Sequence, residues 1–280
     1  MVHPAFNIGT EASPPEEARL LVEISSQSLN FILFREEPRE LLLLRQYRIY
    51  TTSHKTVEEA IAEIISGDEY LQSFASRATV LYNFPESNLL PQELNDAGVH
   101  DSLTRFVYGD TSAGLILDEK IENWQLHNVY AISKKIHFLL KEKFRDSGYW
   151  HFYTLMLRSS AGDTLAEGNY LRIIFYNDKF IVSIFRNGRL LLLQTFAYQT
   201  PEDVAYYLLL ACRQLDIPVS ATILLISGLI DTQSALYAEL MKYFPEIRYE
   251  LFPESMDPQT LLKEFPAHYF SPLLNMSLCV

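Results

Sequence analysis

Residue types and spacings that carry chemistry are scarce in this sequence of 280 residues. His127 and His137 stand ten apart, and no carboxylate or cysteine is spaced as in H-E-x-x-H to complete a metal site with either. His151 lies in the aromatic run Tyr149-Trp-His-Phe-Tyr153, which reads as packing. A G-x-S-x-G elbow is absent, so no serine is presented as a nucleophile in that way. The two cysteines, Cys212 and Cys279, can build neither a disulfide framework nor a zinc ribbon, and Cys212 falls on the apolar face of a predicted helix. The ten glycines include no G-x-G and no P-loop, and they make up about half the usual share of ~7%. Phosphate-cradling loops use glycine because a Cβ would hold the ligand off the backbone amides. Any nucleotide site here has to work almost without it.

Composition narrows the classes further. Hydrophobic residues make up 48% and charged residues 21%, which is enough apolar material for packed cores and excludes a disordered chain. Acidic residues outnumber basic ones 35 to 23, a net charge of -12, and a field of that sign disfavours phosphate backbones and anionic lipid. No nucleic-acid partner is expected. The start of the sequence shows no basic segment followed by an apolar one, and no apolar run reaches the ~20 residues of a membrane span. The expectation is a cytoplasmic protein of about two domains.

The elements that would position any site occur twice. Apolar runs at Leu20–Ser25, Ser28–Phe34 and Glu40–Tyr47 are matched later by Tyr170–Tyr176, Lys179–Phe185 and Arg189–Phe196. Each third run holds four leucines in a row, Leu41 to Leu44 and Leu190 to Leu193. A capping signature follows each: Thr56-Val-Glu-Glu59, then Thr200-Pro-Glu-Asp203 with proline where its missing N–H costs nothing. Both predicted helices carry apolar residues at helical spacing, Val57, Ala60, Ile61, Ile64 and Ile65 against Val204, Leu208, Leu209, Cys212 and Leu215. Similar strands come next, Ala78-Thr-Val-Leu-Tyr82 and Ala221-Thr-Ile-Leu-Leu225.

The offsets between matched positions drift slowly. Leu20 to Leu171 and Phe34 to Phe185 are 151 apart, Leu41 to Leu190 149, Thr56 to Thr200 144, and Ala78 to Ala221 143. Losses are expected at turns, the Asn187-Gly188 turn reading as two residues shorter than Glu36–Arg39 and as type I′. The pattern predicts an internal duplication. The expected organisation is a flexible tail over 1–17, a first lobe over 18–148 with an inserted segment at about 95–130, and a second lobe over 149–280. Within the insertion, Arg105–Tyr108, Leu115–Leu117 and Trp124–Ile132 read as strands or a strand-to-helix passage.

Three strands, a helix and a further strand, written twice, resemble the ribonuclease H-like half-domain plan of the actin-like ATPase superfamily, from about Leu20 to about Phe252. In outline the chain looks most like bacterial members related to the cell-division actin homologue and to the actin-like protein of type IV pilus assembly. Val129-Tyr-Ala-Ile-Ser-Lys-Lys through Phe144, then Gly148 and the strand at Tyr170, are similar to the helix and linker that precede the second half there. In stretches such as His268-Tyr-Phe-Ser-Pro-Leu-Leu-Asn-Met it resembles a Bacteroidetes domain family of unknown function. The resemblance implies an α/β fold with mixed sheets, two ribonuclease H-like lobes in an actin-like arrangement. It brings no catalytic signature.

That family's chemistry sits in three turns. The first, between the first two strands, carries an acid, a glycine and hydroxyls that hold phosphate and, through water, magnesium. The matching stretch is Glu23-Ile-Ser-Ser-Gln-Ser28, where Glu23 stands for the acid, Ser26 and Ser28 keep hydroxyls, and Ser25 replaces the glycine. The second is D-x-G-x-G-T; here Ile174 falls at the acid and Tyr176 and Asp178 at the glycines. A tight Asn177-Asp178 turn suits a hairpin, whereas the Asp178 carboxylate would repel an anion. The third contacts adenosine through a Gly-Gly pair, of which Ser227-Gly228 keeps one glycine, and Asp231 or Thr232 reads as the next cap. A ribonuclease H-type nuclease would need further acids around Glu23 to hold two metals.

The reading is therefore a catalytically degenerate actin-like protein, a scaffold or partner-binding element with no catalytic or metal residue assigned and a protein partner or self-association expected. The insertion is the part expected to vary with partner, and 17 Tyr and 17 Phe serve core packing. The alternative is a weak ATP-binding protein or ATPase, with ATP and magnesium in an atypical pocket between the lobes formed by Glu23, Ser25, Ser26, Ser28, Ser227 and Gly228. A sugar-kinase-like phosphotransferase ranks third, since no general-base Asp or phosphate glycines can be placed.

Overall fold

The computed structural model describes residues 3–9, 16–110, 114–159, 168–252 and 261–279. They divide into two compact units, one holding the residues up to 159 with Leu261 and those from Met276 on, the other holding 168–252 and Leu262–Asn275.

The first unit contains β1 (Phe6–Gly9), β2 (Arg19–Ile24), β3 (Ser28–Glu36), β4 (Arg39–Arg48), α1 (Val57–Gly67), α2 (Glu69–Ser73), β5 (Ala78–Tyr82), β6 (Ser87–Pro91), α3 (Ala97–Tyr108), β7 (Gly114–Ile121), β8 (Leu126–Ser133), α4 (Lys134–Lys143), β9 (Gly148–His151) and α5 (Phe152–Ser159). Its main sheet runs β1-β4-β3-β2-β5-β9, and a smaller one runs β6-β8-β7. The second unit contains β10 (Asn169–Phe175), β11 (Lys179–Arg186), β12 (Arg189–Ala197), α6 (Pro201–Gln214), β13 (Thr222–Gly228), α7 (Ala235–Met241), β14 (Glu246–Tyr249) and α8 (Ser271–Met276). Its sheet runs β12-β11-β10-β13-β14. Apart from β1, the two main sheets share one plan: a three-stranded antiparallel meander, then two strands parallel to its first strand.

β2, β3, β10 and β11 are buried on both faces, so they read as continuous apolar runs rather than alternating ones. In the first unit Leu20, Val22 and Ile24 of β2 pack with Phe31 and Leu33 of β3, Ile61 and Ile64 of α1, and Leu140 of α4. In the second, Leu171, Ile173 and Phe175 of β10 pack with Val182 and Ile184, with Val204, Leu208 and Cys212 of α6, and with Phe244. Both capping boxes form. Thr56 accepts from Glu59 N and Thr200 from Asp203 N, while each N3 carboxylate reaches back to its cap.

The ladders correct several details. The hairpin loops are equal in length, because Glu36 pairs with Arg39 as Arg186 pairs with Arg189; the first hairpin has one further rung, Arg35–Glu40. Asn187 and Gly188 take φ of 49° and 72°, the two positive values a type I′ turn requires. Leu20 pairs with Ala78 and Leu171 with Leu224, so the alignment of Ala78 with Ala221 is out of register; Ala221 belongs to a 3-10 turn before β13. Part of the expected tail is β1, whose backbone pairs with β4. The 149–159 stretch belongs with the first unit, because β9 extends its sheet beside β5. Arg105–Tyr108 is helical, held in α3 by the Asp96 cap.

One buried ion pair fixes the link between α1 and α2. Asp68 accepts from Tyr70 N (2.9 Å) and Leu71 N (3.1 Å) as their cap, and also from Tyr47 Oη (2.7 Å) and Arg45 Nη1 (2.9 Å). Its side chain is fully buried. Asp68→Ala strands the Arg45 charge and two amides together, and chemical denaturation is expected to show a loss of about 3 kcal/mol.

Candidate functional site

The first turn lies in the first unit and the other two in the second. At the first, Glu23 pairs across the ladder with Asn30 and is 3% exposed. Asn30 Nδ2 donates to Glu23 Oε2 at 3.2 Å, and Asn83 Nδ2 donates to Oε1. The carboxylate is thus held by two buried amides from β3 and from the residue after β5. Asn30 Oδ1 is buried and has no hydrogen-bond partner.

The turn itself is closed on its own backbone. Ser25 Oγ accepts from Gln27 N at 3.2 Å and from Ser28 N at 3.0 Å, and lies 3.1 Å from Ser28 Oγ. Ser25 N donates to Ser28 O at 2.9 Å. The Ser25 hydroxyl thus takes up the amides of Gln27 and Ser28 within the turn. Ser26 is exposed.

The second turn repeats the rungs of the first with other side chains. Ile174 sits on the rung that matches Glu23, and Tyr176 on the one that matches Ser25. Tyr176 N donates to Lys179 O at 2.9 Å, and Tyr198 Oη donates to Tyr176 O at 2.8 Å. The Lys179 ammonium lies 5.1 Å from the Tyr176 ring centre. An apolar side chain and a ring therefore stand where the resemblance places the acid and the glycine. Asp178 is a turn residue whose carbonyl accepts from Tyr198 N.

The third turn keeps its glycine for a packing reason. Gly228 has φ +81°, and a Cβ there would stand 2.2 Å from Phe175 O. Its N–H donates to His268 O (2.8 Å), and Leu229 N donates to Phe175 O (2.8 Å). His268 Nε2 donates to Ile230 O at 2.7 Å, and its ring stacks on Tyr249 with centres 4.1 Å apart. Ser271 Oγ donates to Glu250 O at 2.8 Å. The segment at His268–Ser271 is thus bonded to the turn at Gly228–Ile230 and to Glu250. Behind it Ser227 Oγ donates to Glu250 Oε2 (3.4 Å), and Arg172 Nη2 pairs with Glu250 Oε1 (3.2 Å).

Other reactive groups are closed off. Burial pushes the Cys212 thiol up to about 11, which removes the thiolate needed for nucleophilic attack at neutral pH. His151 is fully buried, with Nε2 3.0 Å from Phe84 O and Nδ1 accepting from Tyr153 N. Burial raises the Glu119 carboxyl even though Tyr130 Oη (2.6 Å) and His151 N (2.9 Å) both donate to it. His127 Nδ1 lies 2.7 Å from Asp118 Oδ1 and 2.9 Å from Asn95 Nδ2, a link between β7, β8 and the start of α3. Among the described residues, no group of three His, Cys, Asp or Glu side chains is placed to hold a metal. No helix among them is long and apolar enough to cross a membrane.

Asn30, Asn83, Arg172, Glu250 and His268 were not singled out as site residues from sequence. For Asn30 and Arg172 a signal exists: each is a polar residue interrupting an apolar strand, and such residues are retained where a buried partner awaits them.

The repeated meander followed by two parallel strands, with these three turns, is the actin-like ATPase fold. A Bacteroides thetaiotaomicron protein of actin-like ATPase fold and unknown function superposes with a TM-score of 0.76 at 15% identity, covering 94% of this chain and 96% of that one. PilM in a PilM–PilN type IV pilus biogenesis complex superposes at 0.55 with 14% identity, over 94% and 97% of the two chains. Residues 10–247 match the model of the family described as protein of unknown function DUF3822, and the chain belongs to that family. No functionally curated protein matches the chain.

Two outcomes test this geometry. Gly228→Ala puts a methyl against Phe175 O in a backbone conformation L residues resist, and is expected to cost more than about 3 kcal/mol by denaturant unfolding. Burial lowers the His268 imidazole below its ordinary value, outweighing the Ile230 carbonyl and Asp231. The unfolded chain then takes up a proton near pH 6.5 that the folded chain refuses, so stability falls as pH drops through that value. Melting temperatures from neutral to mildly acidic pH should show the decline, and His268→Asn should lessen it, the rest coming from His137, which burial also lowers.

Proposed function

We propose that this protein is a scaffold or partner-binding element that keeps the actin-like frame and has lost hydrolysis. One observation carries the reading: the amides that would hold phosphate in the first turn are already bonded to Ser25 Oγ. The replacement of the acid by Ile174 and of glycine by Tyr176 supports it, as does the occupation of the Gly228 amide by His268 O. The shared strand order and matched rungs support an internal duplication behind the two lobes. The chemistry needs no cofactor and fits a cytoplasmic location. A fold neighbour, PilM, is seen in complex with PilN, a precedent for this frame as a binding partner.

The competing reading is weak ATP binding through Glu23, Ser25, Ser26, Ser28, Ser227 and Gly228. Its best support is the buried, unpaired Asn30 Oδ1 beside the Glu23 carboxylate. Calorimetry with magnesium-ATP separates the two. The expected result is no heat and no thermal shift at millimolar nucleotide. A ligand at 100 times its Kd would stabilise the fold by about 2.7 kcal/mol. Micromolar binding that disappears in Glu23→Ala would overturn the scaffold reading.

A further inference from the structure

The small sheet β6-β8-β7 has two outer strands, and its hydrogen bonds fix which way each peptide group points. Ala131 N donates to Glu86 O and Gln92 N to Gln125 O, so Gln125, His127, Val129 and Ala131 bond toward β6. Leu126, Asn128, Tyr130 and Ile132 then bond toward β7, where their partners are Ile121, Glu119, Leu117 and Leu115. The peptide groups of Gly114, Ile116, Asp118 and Lys120 therefore point out of the sheet.

The two edges are treated differently. On β6, Tyr108 Oη donates to Ser87 O (2.7 Å) and accepts from Ser87 N (3.1 Å), and Pro91 has no N–H to present. On β7, Arg158 Nη2 donates to Lys120 O at 2.9 Å and closes the carboxyl end. Asp118 and Lys120 are exposed there and the Glu119 carboxylate is buried, charges of the kind that guard an edge. Gly114-Leu-Ile-Leu117 carries no such guard and is only half-buried. Among the described residues, no hydrogen bond reaches the outward backbone groups of Gly114, Ile116 or Asp118.

A cavity of about 470 Å³ adjoins this open stretch. It is lined by Gly114–Ile116, by Ala97, Asp101 and Arg105 along one flank of α3, and by Lys134. Asp118 bonds to Asn95 and His127 on the α3 side of the sheet, whereas Leu115 and Leu117 pack on the first unit's core. A strand added here shows alternate side chains to those two sides. Exposed rings stand nearby in sequence: Phe106, 88% exposed, follows Arg105, and Phe138, 64% exposed, lies one turn beyond Lys134 in α4. The fixed charges of the lining are Arg105 and Lys134 against Asp101, in a chain of net charge -12. That balance favours an acidic segment over a second copy of this acidic chain.

We propose that β7 is a docking edge for a partner protein, which adds an extended segment to this sheet over Gly114–Asp118. Apolar side chains of the segment lie on the side of Leu115 and Leu117, and acidic ones alternate with them on the side of Arg105. This deepens the partner-binding reading and rests on it by naming the surface and the partner's chemistry. Nucleotide binding is read by calorimetry and strand addition by peptide binding, so either can fail alone.

The test selects short peptides from a random displayed library on the full chain and measures them by fluorescence anisotropy. Binding by peptides of alternating apolar and acidic residues is expected. Ile116→Pro removes one outward N–H and leaves the β7–β8 bonds in place, so it should weaken binding by about tenfold. Arg105→Glu should weaken it as well. Methylating the peptide's amide nitrogens one at a time should cost affinity at every second position, the signature of a strand bonded along one edge. That readout needs no protein variant and stands even where Ile116→Pro melts early. A selection that returns no binder overturns the proposal, as does a methylation profile without that period or a folded Ile116→Pro chain that binds as tightly as its parent. So does sedimentation showing a dimer that Ile116→Pro dissolves, which would give the edge to a second copy.

Discussion

A backbone N–H has one hydrogen to give, and a phosphate-binding turn works only if several are aimed outward and unspent. Everything distinctive about this protein follows from how those hydrogens are allotted. In the first turn Gln27 and Ser28 give theirs to Ser25 Oγ. In the second Tyr176 gives its hydrogen to Lys179 O, and in the third Gly228 gives its own to His268 O. Glycine at the first position would leave these amides without a side-chain acceptor, whereas Ser25 Oγ closes the turn on itself.

The frame survives because strand pairing is backbone work. β2 with β3 and β10 with β11 run as antiparallel ladders of six and seven rungs into turns of the same length, whichever side chains stand there. Glu23 and Ile174 occupy matched rungs, one a buried carboxylate needing Asn30 and Asn83, the other needing only packing. Exchanging the first kind of residue for the second removes a desolvation cost and leaves the ladder unchanged.

The same reasoning explains what was legible in the sequence. Continuous apolar runs, the two capping boxes and the Asn187-Gly188 turn are local signals, and each element they announce is present. The rungs at Ile174 and Tyr176 could be placed by counting because strands advance by a fixed period. Non-local features were hidden. Nothing in Phe6–Gly9 says that its partner is β4, and nothing near Gly148 says that β9 joins β5 rather than the later sheet. The match of Ala78-Thr with Ala221-Thr misled because similar letters carry no register; only the pairing of Leu20 and Leu171 with their parallel neighbours does. The partners of Glu23, and the His268 cover over Gly228, likewise exist only once distant strands meet.

Two sheets of one plan need not share one fate. β4 and β12 carry the same leucine run and the same bulge. On β4 the chain spends four residues of its own to cover the outer edge, and the Arg45 Nε to Asn7 Oδ1 bond at 2.8 Å holds that cover by a side chain as well as by backbone.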